Sequence, residues 1–161
     1  MKGFTYVNQE ATLQPIEIGR GLADTVTVMK PKARANAVEV TVQVAPGLPT
    51  VEGYGGELNQ VWANLLDNAI DATPKGHVRI EASAAEGKVC VRVIDDGPGI
   101  PQDVLNRIFD PFFTTKDVGK GTGLGLDIAR RIVRHHNGAI DVSTTPSGTE
   151  FRVTLPASPS A

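Results

Sequence analysis

Five stretches of the chain alternate apolar and polar residues with a period of two, and each predicts a strand. Val38, Val40, Val42 and Val44 oppose Glu39, Thr41 and Gln43; Val78, Ile80 and Ala82 oppose His77, Arg79 and Glu81. Val89, Val91 and Val93 oppose Lys88, Cys90 and Arg92; Ile140 and Val142 oppose Asp141 and Ser143. Phe151, Val153 and Leu155 oppose Glu150, Arg152 and Thr154. Strands that are apolar mainly on one side belong to a sheet covered on one face only. The cover comes from segments with helical spacing. Ile18, Leu22, Val26, Met29 and Ala33 make one stripe, which Pro31 either kinks or ends. Leu58, Val61, Trp62, Leu65 and Ala69 make a second over about residues 57–72. A third helix opens within 119–133, its apolar face including Leu124, Ile128 and Ile132, and PQDVLNRIF carries a shorter signal. The expected fold class is α+β: a two-layer α/β sandwich with about three helices on one face of a five-stranded sheet. Residues 1–16 show no period and read as a linker or the tail of an upstream element; 157–161 read as a frayed end.

Parity places two polar side chains in the apolar layer. Asp95 lies two residues beyond Val93, and Thr149 two before Phe151, so both face the helices and need partners there. A structural Asp–Thr hydrogen bond satisfies that need as well as a ligand would. On the second helix Asn64, Asn68 and Asp71 recur at i, i+4 and i+7 and form a polar column along the apolar stripe. Asn and Asp are poor interior helix formers, so this column is either a solvated boundary or a site. Two glycine-rich segments follow: DDGPGIP at 95–101, directly after a strand, and GKGTGLGL at the opening of a helix. Glycines at a helix start allow backbone N–H groups to approach a phosphate. No βαβ unit surrounds them and no GxxxxGK[ST] occurs, which excludes the dinucleotide fingerprint and the Walker loop.

Composition narrows the class. Among 161 residues, 16 basic and 18 acidic side chains leave a net charge of −2, with no global pull toward nucleic acid or an anionic membrane. A single cysteine, Cys90, excludes an intrachain disulfide framework and a cysteine-cluster metal site. No apolar run approaches a membrane span, and MKGFTYVNQE lacks a signal-peptide core. The expectation is a cytoplasmic chain without direct membrane contact.

NQVWANLLDNAIDA, DDGPGIP, IFDPFFTTK, GKGTGLGL and SGTEF resemble, in order and spacing, the nucleotide-binding boxes of sensor histidine kinases. These belong to the GHKL (Bergerat-fold) ATP-binding superfamily, shared with type II topoisomerases, mismatch-repair ATPases and a heat-shock chaperone. The resemblance spans about Ile18 to Pro156 and implies a mixed five-stranded sheet, ATP and Mg²⁺ as cofactors, and an ATP-binding catalytic domain over 17–156 with a lid at about 101–121. It implies that Asp95 accepts from the adenine amino group, with Gly97, Gly99 and Ile100 shaping the pocket and Thr149 supporting the base. A carboxylate accepts only, which suits an exocyclic donor. Asn68 matches the magnesium ligand and Asn64 the phosphate end. Thr115, Lys116, Gly119, Lys120, Gly121, Thr122, Gly123, Leu124, Gly125 and Leu126 match the phosphate cradle. Asn64, Asn68 and Lys116 are the catalytic candidates. Phe112 or Phe113 is expected to anchor the lid.

Two departures and an absence choose among subclasses. Topoisomerase-like ATPases carry a water-activating glutamate at the position of Asn64; an amide cannot serve as a base, which favours transfer over hydrolysis. Asp71 stands where some histidine kinases have a basic phosphate contact, and is carried among the ATP-binding candidates behind the direct contacts. None of His77, His135 and His136 is followed by an acidic residue on a helix, as a phosphoacceptor box requires. The chain therefore resembles a catalytic domain whose phosphoryl acceptor lies on a separate dimerising hairpin, with a response regulator as the indirect partner. A stand-alone GHKL ATPase and a catalytically silent nucleotide-sensing module are the alternatives. His135 and His136, adjacent on a helix, are expected to diverge by about 100° and make no metal pair. Lys30, Lys32 and Arg34 read as a solvated helix end, and Cys90 is assigned no chemistry.

Overall fold

The computed structural model describes residues 12–111, 113 and 125–159. Its main sheet has five strands: β2 (Glu39–Val44), β4 (His77–Ala85), β5 (Lys88–Asp95), β6 (Ala139–Thr145) and β7 (Gly148–Pro156). Their spatial order is β2-β4-β5-β7-β6, with β2 parallel to β4 and every other pair antiparallel. The sheet is mixed and the alternation is as expected. Val78, Ile80, Ala82, Val89, Val91, Val93, Phe151, Val153 and Leu155 are buried. The opposite face carries a ladder of ion pairs in which Arg92 joins Glu81 (2.9 Å) and Glu150 (2.7 Å). That face is solvated, which accounts for a sheet covered on one side.

The cover is three helices: α1 (Ile18–Ala35), α2 (Gly55–Ala72) and α4 (Gly125–His135). α2 packs against both of the others and buries Leu58, Val61, Trp62, Leu65, Leu66, Ala69 and Ile70. Pro31 lies inside α1, which continues through it to Ala35. α1 then closes with Ala37 at φ 57° and Val38 N–H donating to the Ala33 carbonyl at 2.8 Å. α4 ends in the same way, with Asn137 rather than glycine at φ 61°. Gly138 is needed for another reason: a Cβ there would lie 2.3 Å from the Thr154 carbonyl oxygen.

Three features depart from the sequence expectations. A second sheet of two short antiparallel strands, β1 (Gln14–Ile16) and β3 (Val51–Gly53), pairs Gln14 with Gly53 and Ile16 with Val51; no alternation announces it. α4 is rotated from its expected face: Ala129 and Val133 are buried together with Asp127, whereas Ile128 and Ile132 are only partly covered. Asp127 tolerates this because Arg131, one turn on, meets it at 2.7 Å. The PQDVLNRIF signal yields only one helical turn, α3 (Gln102–Leu105), and the anchor of this stretch is Ile108 and Phe109. Phe109 meets Phe151 edge-on at 6.4 Å and lies under the Arg130 guanidinium. Phe113 lies beneath Arg107, and Phe112 falls outside the described residues.

Candidate functional site

The site begins where β5 ends. Asp95 is the last residue of that strand, on its apolar face, and is only 5 % exposed. Burial pushes its carboxyl above the usual range. Opposing this, Gly97 N–H donates to Asp95 Oδ1 at 2.9 Å, and the Thr73 hydroxyl and Thr149 backbone N–H favour the ionised form. The Thr73 hydroxyl is near enough to exert that pull, yet among the described residues it is a buried polar atom without a hydrogen-bond partner. Asp95 and Thr149 are paired across β5 and β7, and Thr149 is equally buried. The two side chains that parity aimed into the helical layer are therefore neighbours.

Glycine allows the loop after Asp95 to pack where it does. Gly99 has φ 84°, and a Cβ on it would lie 2.1 Å from the Thr145 carbonyl oxygen. A Cβ on Gly148 would lie 2.2 Å from the Asp95 carbonyl oxygen. The turn between β6 and β7 thus sits directly against residues 95–100. Gly97 lies against α2: its Cβ would meet the Ala72 carbonyl at 2.5 Å and Thr73 Oγ1 at 2.9 Å. Ile100 N–H donates to Thr144 Oγ1 at 2.8 Å. Thr73 and Thr144 are site residues that the sequence motifs do not mark. Thr144 continues the face of Ile140 and Val142, so the parity rule that found Thr149 applies to it too.

α2 supplies the polar column. Asn64 Nδ2 donates to the Gly125 carbonyl at 2.8 Å, and Asn64 Oδ1 accepts from Gln60 at 2.6 Å. It thereby joins the middle of α2 to the first residue of α4. Asn68, one turn on, makes no side-chain hydrogen bond to another described residue and is half-buried. Asp71 is drawn to α1, where Lys32 Nζ meets it at 2.8 Å and also contacts Asp67. Lys32 is therefore not the solvated lysine expected. Burial works against its charge, but the two carboxylates outweigh that and hold its pKa above the ordinary lysine value. Leu126 packs against the core at the start of α4. Thr115, Lys116, Gly119, Lys120, Gly121, Thr122, Gly123 and Leu124 lie outside the described residues, as does most of 112–121.

The donor set suits a nucleotide with a hard cation. Among the described residues, a buried carboxylate and a buried hydroxyl without a partner stand at one end, and a neutral amide without a side-chain partner at the other. Mg²⁺ takes few protein ligands and draws its remaining oxygens from phosphate and water, which Asn68 fits. The histidines form a separate cluster. Ligand atoms of Glu57, His135 and His136 lie within 4.8 Å of one another, so the two rings do not diverge as expected, although the His136 N–H still donates to the Ile132 carbonyl at 3.1 Å. Tyr54 N–H donates to His136 Nε2 at 3.1 Å, and His136 Nδ1 faces the Ile132 carbonyl at 2.8 Å. Both ring nitrogens are engaged, and His136 works as a staple between α4 and the start of α2. Cys90 is pushed up by burial, opposed by Arg152 and Arg92, and remains an inert thiol.

The model of the histidine kinase-, DNA gyrase B- and HSP90-like ATPase family matches residues 53–159. Sporulation kinase A of Bacillus subtilis is 35 % identical over 150 residues, covering 92 % of this chain and 24 % of that protein. The chain spans less than half the length of this and three further curated kinases that it matches, from 16 % to 42 %. Among solved structures, the nucleotide-free catalytic domain of histidine kinase ThkA superposes with a TM-score of 0.82 at 31 % identity, covering 91 % of this chain and 96 % of that one. Full-length ShkA in complex with AMPPNP gives 0.83 at 34 % identity, covering 93 % and 32 %.

Proposed function

The chain belongs to the histidine kinase-, DNA gyrase B- and HSP90-like ATPase family, and on that premise we propose that it binds Mg-ATP and passes the γ-phosphoryl group to a histidine on a separate helical hairpin of its parent kinase. The observation that carries this is Asp95, a buried carboxylate beside Thr149, with the amide of Asn68, which meets no other described side-chain partner, on the adjacent helix. Asp95 takes the adenine amino group, Thr149 supports the base, and Asn68 holds Mg²⁺. The bound Mg²⁺ supplies neutralisation of charge on the phosphate oxygens. Phosphoryl transfer asks little covalent chemistry of the protein, so positioning and charge are its main contribution. Asn64 accepts no proton, which disfavours activation of water there and favours transfer to a protein nucleophile. Lys116 and the glycine amides of 119–125 are assigned to the phosphates from the sequence. A response regulator is the downstream partner, and the domain works on the cytoplasmic side; no helix among the described residues is long and apolar enough to cross a membrane.

The test is transfer in trans. Incubated alone with γ-labelled ATP, this chain forms no acid-labile phosphohistidine; with the parent's hairpin domain added, label appears on the hairpin, slowly because the reaction is bimolecular. ATP consumption without a hairpin would point to the hydrolase. Tight ATP binding with neither turnover nor transfer would point to the sensing module.

A further inference from the structure

Where α4 ends against the start of α2, three side chains bring metal-binding atoms together: those of Glu57, His135 and His136 lie within 4.8 Å of one another. His135 Nδ1 and Glu57 Oε1 meet at 3.0 Å, a contact that needs a proton between them because a carboxylate only accepts. His136 is buried, and its Nδ1 meets the Ile132 carbonyl at 2.8 Å. A carbonyl only accepts, so the proton is on Nδ1 and the lone pair on Nε2. Such a carbonyl behind the ring is the ordinary support of a metal-ligating histidine. The two rings stand 5.6 Å apart at 73°. A tetrahedral zinc with Zn–N of about 2.0–2.1 Å holds two imidazole centroids about 5 Å apart. Tyr54 stacks on His135 at 5.4 Å and 10°, which limits how that ring turns.

We propose that Glu57 Oε1, His135 Nδ1 and His136 Nε2 bind Zn²⁺, with water in the fourth position. Two imidazoles and a carboxylate are a donor set that zinc takes with an open position. Mg²⁺ prefers oxygen ligands, so this site is separate from the one assigned to Asn68. Tetrahedral ligands lie about 3.4 Å apart, so the cluster closes by at most about 1.4 Å. The exposed side chains of Glu57 and His135 supply that movement. The ion takes the place of the proton between them, which passes to His135 Nε2 when the ring is neutral and to water when it is charged. His136 Nε2 gives up the Tyr54 N–H that it accepts at 3.1 Å. Tyr54 is the N-cap of α2 and Glu57 the third residue of that helix, the spacing at which a glutamate reaches back to the N-cap N–H. The second oxygen of Glu57 takes over that donor, and the ion bolts the last turn of α4 to the first turn of α2.

Calorimetry with ZnCl₂ on the metal-free chain, without nucleotide, should show one equivalent bound, and CoCl₂ should give the intense visible absorption of a four-coordinate ion. Zn²⁺ at about a hundredfold excess over its Kd should raise Tm by about 5–10 °C. His135→Ala and Glu57→Gln, both at exposed side chains, should each weaken Zn²⁺ by at least about tenfold. His77→Ala, at the other histidine–carboxylate pair, should leave it unchanged. Replacing His136 removes the acceptor of Tyr54 N–H, so its part is read in the wild type: in proton–nitrogen NMR spectra of the imidazoles, Zn²⁺ should move His136 Nε2 and His135 Nδ1 and leave His77 in place. Absence of saturable binding of one equivalent overturns the inference. So does binding that survives both His135→Ala and Glu57→Gln, or Zn²⁺ that moves the His77 ring and not His136.

Discussion

Lys32 on α1 and Asp71 on α2 form an ion pair of 2.8 Å, with Asp67 as a second carboxylate on the same ammonium. Asp67 and Asp71 are one turn apart, so without Lys32 they are a repelling i, i+4 pair. Lys32→Met should lower stability by about 1 kcal/mol, or about 2–4 °C in Tm for a domain of this size. Asp71→Asn should cost less, and the double variant less than the sum. ATP affinity should change little in Lys32→Met; a large fall would return Asp71 to the nucleotide.

Asp95 links pH to recognition. Burial raises its pKa in the folded chain, so the ionised form is held at a cost to the fold, and that cost disappears as pH falls through the raised value. Nucleotide recognition runs the other way, because a protonated carboxyl no longer offers two acceptors. ATP affinity should therefore decline on acidification at a pH above the ordinary aspartate range. Asp95→Asn should weaken ATP by about 1.5–3 kcal/mol and abolish this acid limb. Titrating affinity against pH for both proteins decides it.

Asn68 separates metal from base. Asn68→Ala should leave nucleotide binding without Mg²⁺ nearly unchanged, remove most of the gain in affinity on adding Mg²⁺, and slow transfer to the hairpin by at least about tenfold. If Mg²⁺ strengthens binding equally in both proteins, the metal is held elsewhere.

His136 is 6 % exposed and engaged at both ring nitrogens. His136→Phe keeps a ring but leaves Tyr54 N–H without its acceptor, and should cost about 1–3 kcal/mol. Chemical denaturation reads this directly. Gly53 cannot relieve the change, because a Cβ there would already lie 2.5 Å from the imidazole.

Long alternations were readable: β2, β4, β5, β6 and β7 each repeat often enough to fix a face, and the same parity placed Asp95 beside Thr149. β1 and β3 were not, because three residues cannot establish a period, and Gln14 and Gly53 meet only after 38 residues of intervening chain. α4 was misjudged because its buried face includes Asp127, which Arg131 satisfies through a contact invisible in an apolar count. His136 was misjudged because its ring turns back to the Ile132 carbonyl and to Tyr54 N–H, contacts that Cβ directions alone do not reveal. Thr73 needed the three-dimensional approach of α2 to Gly97, and no spacing reveals a hydroxyl left without a partner.

The small sheet has a mechanical consequence. β1 sits immediately before α1, and β3 runs through Tyr54 into α2, so three paired positions tie the residues leading into one helix to those leading into the other. A pull applied at residue 12 travels through Gln14–Ile16 to Val51–Gly53 and arrives at the N-terminus of the helix that holds Asn64 and Asn68. β3 also touches β7, so the small sheet couples the residues leading into α1 both to the start of α2 and to the strand that carries Thr149.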